Sequence, residues 1–138
     1  MSEPTPDFLF DKTYTGSKGW LRLRLDPDYR VYLVTAGRGT VEGSRAGIAF
    51  MEEIIAEHPG RAFVCIGDLS QLGGSPIRVQ FILGNWLLGR RDCFAKGALF
   101  GANPWERRLG TVALKIARLT DRVSFKRTET DARAFLGW

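Results

Sequence analysis

The stretch Gly97–Leu136, GALFGANPWERRLGTVALKIARLTDRVSFKRTETDARAFL, sets out a strand, a capped helix, a second strand and a second capped helix in succession. Asn103 precedes Pro104, and Glu106 stands three residues on. In such a helix start a side-chain oxygen accepts a backbone N–H, proline fits the first turn, and a carboxylate reaches back to the cap. Trp105, Leu109, Val112, Ala113 and Ile116 recur at helical spacing and predict one apolar face, leaving Arg107, Arg108, Lys115 and Arg118 outside it. Val123-Ser124-Phe125 predicts a short strand, and Thr128-Glu129-Thr130-Asp131-Ala132 opens the last helix, which closes on Phe135 and Leu136.

Working back from that segment, the pattern keeps alternating. Trp20–Leu25 places Leu21, Leu23 and Leu25 on one face and Trp20, Arg22 and Arg24 on the other, the signature of a half-buried strand. Asp26-Pro27-Asp28 is a turn, and Arg30–Thr35 is rich in Val, Tyr and Leu, so the two runs predict an antiparallel hairpin. Thr40 caps a helix whose apolar band is Phe50, Met51, Ile54 and Ile55, ending before Pro59-Gly60. The run AFVCI within Arg61–Gly67 reads as a central strand, Asp68–Ser75 as a loop, Pro76–Leu88 as a helix and Gly97–Phe100 as a strand. A hairpin followed by helix, strand, helix, strand, helix, strand, helix predicts an α/β fold with a mostly parallel mixed sheet and right-handed crossovers.

At 138 residues the chain suits a single domain over 1–138, with residues 1–7 a polar, flexible lead and Phe8 and Phe10 as apolar anchors for the adjoining segment. No apolar run approaches the roughly 20 residues of a membrane helix, and the start MSEPTPDF has no secretory pattern, so the expected location is the cytoplasm. Cys65 and Cys93, the two cysteines, match neither a disulfide framework nor a zinc cluster. The net charge of +5 comes from basic residues scattered along the chain, never in a run longer than a pair, which argues against nucleic-acid binding. His58 is the lone histidine and reads as a helix-end residue rather than a metal ligand. Gly37-Arg38-Gly39 lacks the glycine spacing and the Lys-Ser/Thr of phosphate loops, and no nucleophile elbow surrounds Ser70 or Ser75. The expectation is a non-enzymatic protein without a cofactor or metal.

In element order from Trp20 to Leu136 the chain resembles the STAS fold of bacterial anti-sigma-factor antagonists, in the looser SpoIIAA-like subgroup that is also compared with CRAL-TRIO lipid-transfer domains. The resemblance rests on the aliphatic strand entering Asn103-Pro104-Trp105, the Val123-Ser124-Phe125 strand and the closing helix. It implies a bacterial regulatory module that works through protein contacts. The family's Asp-Leu-Ser-like turn corresponds to Asp68-Leu69-Ser70. Gly73-Gly74-Ser75-Pro76 stands where a phosphorylated serine would lie, which marks Ser75 as the candidate phosphorylation site. Ser75 is also placed to cap the helix begun by Pro76.

That helix carries the strongest functional hint in the residues themselves. At about 100° per residue, Val79, Ile82, Leu83, Trp86 and Leu87 form one apolar face, while Ile77, Phe81 and Leu88 align around Gly84 on the opposite side. A sheet covers only one face, so the second meets a neighbouring helix, the Phe8/Phe10 segment, a second copy of the chain, a different protein or an apolar ligand. Arg107, Arg108, Lys115 and Arg118, with Arg90, Arg91 and Arg122, form a candidate basic platform for an acidic protein or anionic headgroups. The first reading is thus a signalling interaction module, or homodimer, with Ile77, Phe81 and Leu88 as the partner-binding face. The alternative is a carrier or sensor of a lipid or other small apolar ligand.

Overall fold

The leucine alternation is realised in β2 (Gly19–Leu25), where Leu21, Leu23 and Leu25 are buried, and in its antiparallel neighbour β3 (Arg30–Gly37). Asp26 closes the turn between them: its Oδ1 accepts the backbone N–H groups of Asp28 and Arg30, each at 2.9 Å. The hairpin is one strand short of the observed unit. β1 (Phe10–Thr15) pairs antiparallel with the other side of β2, so the chain opens on a three-stranded meander. Asp11 and Lys12 in the β1 run FDKTYT interrupt its apolar pattern, and pairing with β2 overrides that weak local signal.

The computed structural model describes residues 7–138, and the expected flexible lead over residues 1–7 lies, apart from Asp7, outside the described residues. After β3 come α1 (Val41–Glu57), β4 (Phe63–Leu72), α2 (Ile77–Gly89), a 3-10 turn (Arg91–Cys93), β5 (Phe94–Phe100), α3 (Pro104–Ala117), β6 (Val123–Lys126) and α4 (Glu129–Leu136). The six strands lie side by side in chain order, with β3–β4, β4–β5 and β5–β6 parallel. This is the expected α/β architecture with a mixed, mostly parallel sheet.

Three boundaries differ from the sequence reading. The segment read as a loop from Asp68 is still strand as far as Leu72, because Gln71 and Leu72 pair with Ala36 and Gly37 beyond a register shift in β3. Only one neighbour pairs there, which is why polar residues are tolerated. β5 begins at Phe94 rather than Gly97, with Phe94 set opposite Phe63. Ser75 does not cap α2: Pro76 occupies the cap position with no side-chain bond, and the Ser75 hydroxyl goes elsewhere.

The core splits across the sheet. On one face Leu23, Leu25, Val31, Phe63 and Phe94 pack with Met51 and Ile54 of α1, joined by Trp86 and Leu87 of α2. On the other face Ile66, Ala98 and Phe100 receive Ala132 of α4, with Tyr32, Phe135, Leu136 and Trp138 around them. Three helices therefore cover one face and one short helix part of the other. α3 begins as read, with the Asn103 side chain accepting the Glu106 N–H at 2.8 Å. α1 and α4 likewise carry side-chain caps from Thr40 and Thr128.

Candidate functional site

The second apolar face of α2 is exposed. Ile77, Phe81 and Leu88 keep 48%, 48% and 42% of their surface, while Val79 on the inner face is buried. The N-terminal segment does not cover them: Phe10 enters the core beside Phe50, and Phe8 packs edge-on to Tyr32. Gly84 belongs to a different surface from the one expected. It is buried in the seam with α3, where a Cβ would come within 2.8 Å of Ile116 Cβ. Trp105, read as part of the apolar face of α3, is 63% exposed. It stands at the edge of a buried face made by Glu106, Leu109, Ala113, Leu114 and Ala117. Among the described residues, four of the six exposed large hydrophobic side chains thus lie on α2 and α3.

The basic platform divides. Arg108 and Lys115 are exposed on one side of α3, and Arg107 and Arg118 fall on another, with Arg107 half-buried. Arg118 ends the helix in a left-handed conformation, and its carbonyl accepts the Arg91 Nε–H at 2.9 Å. Arg122 bonds to the carbonyl of Phe94 at 3.2 Å. Arg90 leaves the group altogether. Its guanidinium grips Glu52 of α1 through both oxygens at 2.9 and 2.6 Å, and Trp86 Nε1 donates to the same carboxylate at 2.7 Å. The Arg90 and then the Trp86 hydrogen bonds hold the Glu52 carboxyl below its ordinary range.

Beneath α1, α2 and α3 lies a cavity of about 340 Å³, bounded by β2 to β6 and lined by side chains such as Leu21, Leu33, Met51, Cys65 and Leu83. It is the size of a ligand site rather than a packing defect. Cys65 is half-buried by area, its open side facing this cavity, and burial pushes its thiol up to about 12.

One polar cluster borders the cavity, where α2 and α3 begin beyond the carboxyl ends of β4 and β5. Glu106 is 3% exposed. The spacing suggests that its carboxylate returns to the Asn103 cap; instead it turns inward, and Oε2 accepts the Ser75 hydroxyl at 3.2 Å. Gln80 Nε2 donates to Ser75 Oγ at 3.3 Å. Glu106 Oε1 is buried without a hydrogen-bond partner. A phosphate on Ser75 would face this carboxyl group rather than free helix N–H groups. Sequence reasoning missed the inward turn because the third helical position serves a cap and a core contact equally well. The cavity leaves no local signal, since it depends on how three helices sit on one sheet.

His58 ends α1 before β4 begins, at the opposite end of that strand from Ser75, with its ring centroid 5.3 Å from that of Tyr29. Gly37 ends β3 with φ 80°, and beyond it Gly39 N–H donates to Gly74 O at 2.7 Å.

The same architecture occurs in a known protein. The crystal structure of an uncharacterized protein of the DUF3478 family from Shewanella loihica PV-4, described as having a SpoIIAA-like fold, superposes with a TM-score of 0.60. The match covers 99% of this chain and 98% of that one, at 15% identity. The fold is SpoIIAA-like. No family model matches the sequence, and no curated protein does. The SpoIIAA-like likeness bears on architecture, and function rests on the surfaces just described. No helix among the described residues is long and apolar enough to cross a membrane.

Proposed function

We propose that this SpoIIAA-like chain is a non-enzymatic regulatory module that acts by contact with another protein, through the outer face of α2 and the adjoining start of α3. The observation that carries the reading is the row Ile77, Phe81 and Leu88, each more than two-fifths exposed, with Trp105 nearby. Large apolar side chains gathered on one surface favour a docking site over scattered exposure. The charge around the row favours one kind of occupant. Arg78, Arg108 and Lys115 are exposed on these helices, and the only acidic residue of either is the buried Glu106. A second copy would bring like charges together, whereas a partner with an apolar centre and an acidic rim is complementary.

A photo-reactive phenylalanine analogue placed in turn at positions 81 and 88, with position 56 on α1 as control, tests this in cells. The expected result is the same cross-linked protein from 81 and 88, nothing from 56, and loss of the position-88 adduct when Phe81→Asp is added with the circular dichroism unchanged. A cross-linked dimer of the chain itself would assign the surface to self-association. The absence of any adduct at 81 and 88 would sink the proposal.

A further inference from the structure

We propose that the cavity beneath α1, α2 and α3 binds a small apolar molecule carrying one hydrogen-bond donor, an alcohol or amine head, and that Glu106 receives that donor. This second function does not depend on the α2 docking surface.

The chemistry is set by the direction of the hydrogen bonds. Gln80 donates its amide N–H to Ser75, and Ser75 passes its single hydroxyl proton to Glu106 Oε2. The Ser75 hydroxyl proton is committed, no bond from Gln80 reaches Glu106, and the chain of bonds ends on a carboxyl group whose Oε1 has no partner. With 3% of Glu106 exposed, bulk water does not supply one. A buried acceptor left unmatched is costly, so what the cluster lacks is a donor.

The rest of the molecule must be apolar and compact. A volume of about 340 Å³ holds on the order of a dozen non-hydrogen atoms, since a water occupies about 30 Å³ of liquid. Anions are disfavoured. The two cationic residues of the lining point away: Lys96 Nζ lies 4.4 Å from the Phe135 ring on the other face of the sheet, and Arg38 is exposed. The position also fits, for open α/β sheets bind ligands beyond the carboxyl ends of their parallel strands.

Calorimetric titration of the full chain with 1-decanol, decylamine and decanoate decides the matter. These probes share a ten-carbon chain and differ in the head. Decanol and decylamine should bind at least tenfold more tightly than decanoate, and Glu106→Gln, whose amide can donate to a carboxylate, should erase that preference. Gly47→Leu should abolish binding of all three. Gly47 lines the cavity within a helix, and a Cβ there meets Leu21 at an ordinary 3.6 Å, so the variant fills the space while favouring α1. If Glu106→Gln does not fold, the wild-type head-group ratio and Gly47→Leu carry the test. Phe81→Asp should bind the probes as wild type does, which separates this site from the docking face. Wild-type protein that takes up no probe, decanoate binding as well as decanol, or unchanged binding in Gly47→Leu would each overturn the proposal.

Discussion

A methyl group at Gly84 would sit 2.8 Å from Ile116 Cβ and 3.0 Å from the Ala113 carbonyl, so the α2–α3 seam admits hydrogen alone at that position. Alanine is the better helix former by roughly 1 kcal/mol, yet forcing a methyl into a closed contact costs about 1–3 kcal/mol. Gly84→Ala should therefore lower stability by up to about 2 kcal/mol in denaturant unfolding, against the propensity trend. A gain would show that the two helices part more easily than their geometry implies. The thiols offer a second readout. With its pKa pushed up to about 12, Cys65 holds only about one part in ten thousand as thiolate at pH 8. Labelling followed by peptide mapping should find Cys93 modified first at pH 8. The Cys65 rate should rise roughly tenfold per pH unit below its pKa, as thiolate accumulates, until denaturant exposes it.

Glu52 ties α1 to α2 through Arg90 and Trp86, and no other charged side chain joins these two helices among the described residues. The pair is partly solvated, so Glu52→Gln should cost no more than about 1 kcal/mol at neutral pH. The sign of the pH dependence is fixed by the lowered carboxyl pKa. The wild-type advantage is fully present above the ordinary value of 4.5 and vanishes as pH falls through the lower folded value. Parallel melts of both proteins from pH 7 to pH 3 should converge at the acid end, and a gap that widened there would contradict the assignment. Elements with strong local grammar were legible in the sequence. The α3 start followed from Asn103-Pro104, and β2 from three alternating leucines. The outward row on α2 also followed from periodicity alone. β1 and the second half of β4 were not legible, because Lys12, Ser70 and Gln71 are held in strands by a neighbouring chain segment. Glu106 was visible as a residue, but its orientation was not, since only tertiary packing chooses between the cap and the interior.

Across the whole chain, the two candidate activities occupy opposite sides of one helical layer. The outward side of α2 and α3 carries the apolar row and its basic margin, while their inward side roofs the cavity above the sheet. Ser75 and Glu106 sit where both helices start, so the same two elements border both sites, without any coupling between them being required. The order of the sheet has a consequence of another kind. Every strand lies beside its immediate predecessor in the chain, and no later strand is inserted between earlier ones. During synthesis the sheet can therefore widen at a single growing margin, each segment finding its template already laid down as it leaves the ribosome. Such a chain has no need to hold an early strand unpaired while it waits for a distant one, and the margin left open at each stage is the one the next segment covers.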